Sequence, residues 1–179
     1  MVSLWITLSP FPRIAQGIYK LICQEGSLED RPALTNGVLS VLRNLGAWKL
    51  RYDSLQLEHF AFMANGECDK RFETLGVYMT NTMVQNRFLL ALNPSEGQIY
   101  EDIAQSMAHR ILELGDVAAH LNARAGLFLQ FKCALANVVL ESKDEWQEAI
   151  MAAQGDPFDV KKPISRAIFA RWYKPQCHS

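Results

Sequence analysis

Apolar residues recur every three to four positions along most of this chain, which is the spacing that buries one face of an α-helix. Ile14, Ile18 and Ile22 show this spacing near the start, and strand-forming residues are not concentrated in any long stretch. Proline, glycine and capping residues divide the pattern into eight segments. The predicted helices span residues 12–25, 30–46, 54–64, 69–92, 95–114, 116–141, 142–153 and 164–173.

These segments predict an all-α fold, a helical bundle of about seven to eight helices. The most apolar segment, 116–141, is expected in the middle of the bundle, because a helix that is hydrophobic on most sides needs neighbours on most sides. The break at 93–97 is the best candidate boundary. We therefore expect an N-terminal lobe over residues 1–92 and a C-terminal lobe over residues 93–179, with one compact unit as the alternative.

Several helix ends rest on single local signals. Gly46 is expected to end the second helix, and Asn65–Gly66 to form a turn. Gly115–Asp116 is expected to separate two helices. Ser95 and Gln98 have the spacing of a capping box, in which the two side chains satisfy backbone donors of the first turn.

Composition and cysteine usage indicate an ordinary globular chain in a reducing compartment. Hydrophobic residues make up 49% of the sequence and charged residues 21%. The cysteines at positions 23, 68, 133 and 177 are dispersed, which favours reduced thiols and a cytoplasmic location, with the nucleus left open. The apolar start lacks a positively charged region, and no apolar run approaches 18 residues, so we expect neither a signal peptide nor a membrane span.

The net charge of −1 hides an uneven distribution of charges along the chain. Five of the 18 basic residues and none of the 19 acidic residues follow Asp159, so the rest of the chain carries 13 bases against 19 acids, or −6. A mildly acidic body repels polyanions at long range. Contact with nucleic acid would therefore have to be local.

The C-terminal segment combines this positive charge with aromatic residues. On the predicted helix 164–173, Ile164, Ile168 and Trp172 share one side, and Arg166 and Arg171 lie at its margins. Phosphate contacts and base stacking would suit such a surface. A helix that docks on its own body and keeps its cations in water fits the same pattern.

A second basic group surrounds the turn predicted at residues 46–48, again beside a tryptophan. Lys70 and Arg71 are predicted to open the long helix 69–92, where cations oppose the helix dipole and hint at an external anion. The predicted nucleic-acid-binding residues are Lys161, Lys162, Arg166, Arg171, Trp172, Lys174, Arg43, Lys49 and Arg51.

Signs of catalysis are weak. No nucleophile elbow, phosphate-binding loop or paired Glu-x-x-His motif occurs. His109 and His120 would be about 16 Å apart along a helix, too far to share one ion. The acidic pairs at 101–102 and 144–145 are explained by the dipoles of the helices they begin. We expect no enzymatic activity, no catalytic or metal site and no cofactor.

Two main functional hypotheses follow, with hydrolytic or metal-dependent chemistry as a weaker third. The first is a self-associating, non-enzymatic helical protein that binds nucleic acid, with RNA or single strands favoured; a small viral or host-interfering RNA-binding factor would suit such a chain. The second is a protein-interaction module in which an apolar groove between the lobes, lined by Met63, Met79, Met83 and Met107, holds a partner helix. Methionines at helical spacing are also common in cores.

Overall fold

The computed structural model of this chain describes residue 10 and residues 12–17, 31–56, 65–120 and 125–155. Within these ranges nearly every residue is helical and no strand occurs, so the predicted all-α class is confirmed for them. Residues 12–17 form a short helical segment. The elements with described bounds are α1 (Arg31–Gln56), α2 (Asn65–Leu92), a 3₁₀ helix (Pro94–Glu96), α3 (Gly97–His120), α4 (Ala125–Glu141) and α5 (Lys143–Gly155). The expected count of seven to eight helices is not confirmed.

Helices α2, α3 and α4 form a three-helix bundle. The short connection between α2 and α3 reverses the chain, and near it Arg87 of α2 meets Glu101 of α3. At the other end of α3, Gly115 lies against Cys133 of α4. Helix α3 is therefore antiparallel to both of its neighbours. Helix α1 packs on α2, and α5 packs beside the 3₁₀ helix.

Helix α2 is the central element of the described bundle. Every residue from Met83 to Leu92 is buried, whereas α4 exposes several large apolar side chains. The prediction that segment 116–141 occupies the middle was therefore wrong. Its apolar residues divide between a face that packs inward and a face that does not, a division that average hydrophobicity along the sequence does not reveal.

Two buried clusters share α2 as their common wall. The first joins the helical segment 12–17, α1, α2 and α5, and includes Val41, Leu45, Phe88 and Trp146. The second joins α2, α3 and α4, and includes Met83. Because α2 and α3 pack on each other across the predicted boundary at 92–93, the division into lobes stays a prediction.

Two glycines that were expected to separate helices lie inside them. Helix α1 runs through Gly46, and α3 runs through Gly115–Asp116 to His120. A glycine inside a helix costs only about 1 kcal/mol relative to alanine, and packing of the flanking apolar residues offsets it. At Gly115 there is also a steric reason, because a Cβ atom there would lie 2.6 Å from Sγ of Cys133.

Other local signals also gave way to the surrounding structure. Helix α2 begins at Asn65, so the predicted Asn65–Gly66 turn lies in its first turn. The capping box at Ser95 was wrong as well, because Ser95 lies inside the 3₁₀ helix and α3 begins only at Gly97. Gln98 Nε2 instead donates to Asp102 Oδ1, 2.8 Å away. The predicted helix 164–173, most of 54–64 and the end of 12–25 lie outside the described residues.

Candidate functional site

The predicted basic group Arg43, Lys49 and Arg51 lies on one continuous helix, so the turn it was expected to surround does not exist. At 100° per residue, Arg43 and Arg51 are about 80° apart around the axis, and Lys49 is about 120° from Arg43 on the other side. Arg43 and Arg51 are exposed, while Lys49 is half-buried. The three cations therefore occupy two sides of α1.

Lys49 belongs to a group of aromatic rings where α1 meets α2. Its amine lies 5.8 Å from the centroid of the Tyr78 ring, within the range of a cation–π contact. Trp48 stacks on Tyr52 with centroids 4.9 Å apart, and it lies 5.9 Å from Tyr78. We call Trp48, Tyr52 and Tyr78 the aromatic cluster. All three side chains are half-buried, so each keeps part of its surface in solvent.

Formal charge differs sharply between helices. Helix α1 carries four basic residues and one acidic residue, a net charge of +3. Helix α3 carries one base and four acids, or −3, and α5 carries one base and three acids, or −2. Among the helices with described bounds, α1 is therefore the strongly basic one, although the chain as a whole is almost neutral.

The Lys70–Arg71 pair does not open its helix as predicted. Because α2 begins at Asn65, the pair lies in the second turn, where its charges scarcely oppose the dipole. The argument for an external anion at this point is therefore lost. Of the predicted site residues, those of the C-terminal segment lie outside the described residues: Lys161, Lys162, Arg166, Arg171, Trp172 and Lys174.

The methionines predicted to line a groove are mainly core residues. Met79 and Met83 are buried in the second cluster, Met107 packs against it, and Met63 lies outside the described residues. Two methionines that are closed off from solvent offer no surface to a partner helix.

Exposed apolar surface lies instead on the outward side of α4. Leu127 is 77% exposed, Phe131 62% and Val138 37%, and Ala134 between them is exposed as well. These four residues fall within about 60° of one another around the helix axis. We call them the α4 stripe. Contiguous apolar surface of this kind marks interaction sites more often than scattered exposed residues do.

Sequence reasoning missed a buried ion pair between α2 and α3. Arg87 Nη1 and Glu101 Oε2 are 2.9 Å apart, with side chains 3% and 0% exposed. Arg87 Nη2 also donates to the carbonyl of Val139, at 2.8 Å, and the guanidinium lies 4.9 Å from the Trp146 ring centroid. Gln105 Nε2 donates to the second carboxylate oxygen of Glu101, at 2.6 Å. One arginine thus links α2 to α3, α4 and α5.

Burial dominates the protonation of this pair. It lowers the pKa of Arg87 to about 10, although the Glu101 carboxylate works in the opposite direction. Burial likewise raises the pKa of Glu101 above its ordinary value, against the opposing effects of Arg87 and Gln105. From the sequence, the position of Glu101 was explained by the helix dipole, whereas the structure pairs its carboxylate with Arg87. The available signal was an arginine directly before the apolar run 88–92.

Groups that could perform chemistry are dispersed over the described residues. His109 and His120 are both exposed on the unbroken α3, and no cluster of three or more metal-binding side chains occurs in ranges 12–17, 31–56, 65–120 and 125–155. Burial, assisted by Asp116, raises the pKa of the half-buried Cys133 thiol. A raised pKa keeps a thiol neutral, which is the opposite of what a nucleophile needs.

Comparisons of this chain with models of protein families, with curated proteins and with solved structures find no match. No helix in the described part of the chain has both the length and the apolar character needed to cross a membrane.

Proposed function

We propose that this chain is a non-enzymatic helical binding protein that contacts nucleic acid, with RNA or single strands preferred, through α1 and the aromatic cluster. The observation that supports it best is the Lys49 amine over the Tyr78 ring, beside the stacked Trp48 and Tyr52. In this proposal the six predicted C-terminal residues also contact the nucleic acid, and the protein acts in the cytoplasm or the nucleus. A viral or host-interfering role would suit such a binding protein.

The proposal combines two interactions: basic side chains contact the phosphates, and aromatic rings stack on the bases. Arg43 and Arg51 project from a helix of net charge +3 and can neutralise phosphates. The rings of the aromatic cluster keep part of their surface in solvent, and an aromatic ring can stack on an unpaired base, which is worth about 1–3 kcal/mol per base. A stacked base needs no particular sequence, so we expect weak sequence preference and a clear preference for single strands over duplexes.

We expect the double variant Arg43→Gln, Arg51→Gln to bind single-stranded RNA more weakly than the unmodified protein. Losing two phosphate contacts should make the plot of log affinity against log salt shallower by about 1.4. Fluorescence anisotropy of a labelled RNA over a range of salt concentrations measures both effects. Arg110→Gln is the matched control, because Arg110 is exposed on the acidic helix α3.

Three results of this titration would be informative. A loss of affinity per removed charge that is as large for Arg110→Gln as for the double variant would show that net charge, and not α1, governs binding. If only a variant with Arg166→Gln and Arg171→Gln loses binding, the site lies in the C-terminal segment and not on α1. Absence of binding by the unmodified protein at low salt would contradict the proposal altogether.

A second candidate is a protein-interaction module, favoured by the exposure of Leu127 and Phe131 on α4. The buried positions of Met79 and Met83 move the expected contact from a methionine groove to the α4 stripe. A partner would cover apolar side chains that otherwise remain in water.

A further inference from the structure

The spacing of the α4 stripe is that of a coiled-coil seam. Leu127, Phe131, Ala134 and Val138 are separated by four, three and four residues, which matches alternating a and d positions over about two heptads. The opposite side of the same helix supplies Leu129, Ala136 and Val139 to the buried interior. Helix α4 therefore has two apolar sides, and within the described residues only one of them is covered.

We propose that a second copy of this chain docks on the α4 stripe, with the two α4 helices antiparallel across a two-fold axis. A self-complementary contact of this kind is the usual geometry of a homodimer. In the antiparallel register, Leu127 of each copy faces Val138 of the other, and Phe131 faces Ala134. The proposal does not depend on nucleic-acid binding, and it gives the second candidate function a specific partner.

Side-chain size favours the antiparallel arrangement over the parallel one. An antiparallel pair places the large Phe131 ring against the small Ala134 side chain twice, so bulk and space match. A parallel pair would place Phe131 against Phe131 and Ala134 against Ala134. The first contact would be crowded, and the second would leave a gap.

Charge favours the same arrangement. Glu141, which is exposed, occupies the next seam position after Val138. Two parallel helices would bring the two Glu141 carboxylates together, whereas an antiparallel pair separates them by roughly 25 Å along the axis. The exposed amides of Gln130 and Asn137 come near each other across the antiparallel pair, where they can exchange hydrogen bonds.

The uncharged character of the stripe supports a second copy over a charged partner. Lys132 is the only residue between Leu127 and Val138 that is charged at neutral pH, and its amine lies 3.8 Å from the ring centroid of Phe128 in the same chain. The seam is only about 18 Å long, and it buries less than the roughly 800 Å² per partner of a standard interface. We therefore expect weak association, with a Kd on the order of 100 µM.

Sedimentation equilibrium of the full chain, without nucleic acid, tests this proposal. Between roughly 5 and 500 µM, a range that brackets the expected affinity, the weight-average mass should rise from 20.3 kDa toward twice that value. Phe131→Glu should keep the protein monomeric throughout. Leu50→Glu is the matched control, because Leu50 is 74% exposed on α1 and should leave the association unchanged. Circular dichroism establishes that both variants are folded.

Three outcomes would overturn the proposal. The first is a protein that stays monomeric over the whole range; if Phe131→Glu then lowers the urea midpoint more than Leu50→Glu does, a segment of the same chain covers the stripe. The second is a folded Phe131→Glu variant that still dimerises. The third is tighter association of Glu141→Gln, which would indicate parallel helices; the antiparallel pair predicts no tightening.

Discussion

Arg87 and Glu101 are oppositely charged side chains that meet in the interior where α2 and α3 pack together. Burial shifts the pKa of each side chain in the direction that favours its neutral form, and this effect is larger than the opposing effect of the partner's charge. The attraction between the charges therefore does not fully offset their desolvation. What the pair provides is geometry, because the guanidinium also contacts the Val139 carbonyl and the Trp146 ring. Packing α4 or α5 in a different register would leave these groups without partners.

We expect the single variants Arg87→Met and Glu101→Gln each to lower the free energy of unfolding by about 3–5 kcal/mol, because each removes one partner of a buried pair. The double variant should recover much of this loss, since no charge is then left alone in the interior. Urea unfolding of the four proteins gives the coupling energy between the two positions. A double variant as unstable as the sum of the singles would contradict this account.

The pH dependence provides an independent check on the same pair. The pKa of Glu101 is raised in the folded state, so the folded protein holds this proton more tightly than the unfolded chain does. Its contribution to stability is therefore largest at low pH and decreases as the pH rises from about 4.5 through the raised pKa. Subtracting the curve of the double variant removes the contributions of other groups. A difference that does not vary with pH would contradict the shift.

At the scale of helices, regular apolar spacing predicted where α-structure lies but not where each helix ends. Glycine is a weak signal because it has two roles: it ends helices, and it also permits close approach inside them. Gly46 has no atom outside its own helix within 4 Å of the position of a Cβ, whereas Gly115 lies against Cys133. The same residue type thus has no steric role at one site and a packing role at the other. This difference depends on partners distant in sequence, so spacing alone could not show it.

We expect Gly46→Ala to stabilise the protein by about 0.5–1 kcal/mol, because alanine favours the helix and meets nothing. Gly115→Ala should destabilise it by about 1–3 kcal/mol, because the added methyl group overpacks the contact between α3 and α4. Urea unfolding measures both changes. Cys133→Ala is the control, because removing the sulfur should reduce the cost of Gly115→Ala. An unchanged cost in that background would place the clash elsewhere.

At the scale of the whole molecule, the sequence predicted the all-α class and singled out Arg43, Lys49 and Arg51. It did not predict that these three residues lie on one continuous helix, or which helices pack on each other. The central position of α2 and the Arg87–Glu101 pair depend on which helices meet, and apolar spacing is equally compatible with several arrangements. The aromatic cluster likewise needed the approach of Tyr78 on α2 to Trp48 on α1. The α4 stripe was not predicted, because the high hydrophobicity of segment 116–141 was interpreted as a sign of burial on most sides.

The two core clusters share α2, and this bears on whether the chain unfolds as one unit or as two lobes. Val41 lies in the first cluster, before the predicted boundary, and Val139 lies in the second, after it; both are 1% exposed. We expect Val41→Ala and Val139→Ala each to lower the free energy of unfolding by about 2 kcal/mol and to shift one common transition. Circular dichroism and tryptophan fluorescence during urea unfolding should report the same midpoint in each variant.

Independent lobes would behave differently in this experiment. Val41→Ala would then lower the midpoint of only part of the helical signal, Val139→Ala would lower the other part, and the two probes would disagree. A lobe ending at residue 92 would have to unfold without disturbing α3, although α2 and α3 pack along each other and share the ion pair of Arg87 and Glu101. Breaking one cluster removes a wall of the other. We therefore expect a single cooperative transition, in which Val41→Ala and Val139→Ala each lower the free energy of unfolding of the whole molecule.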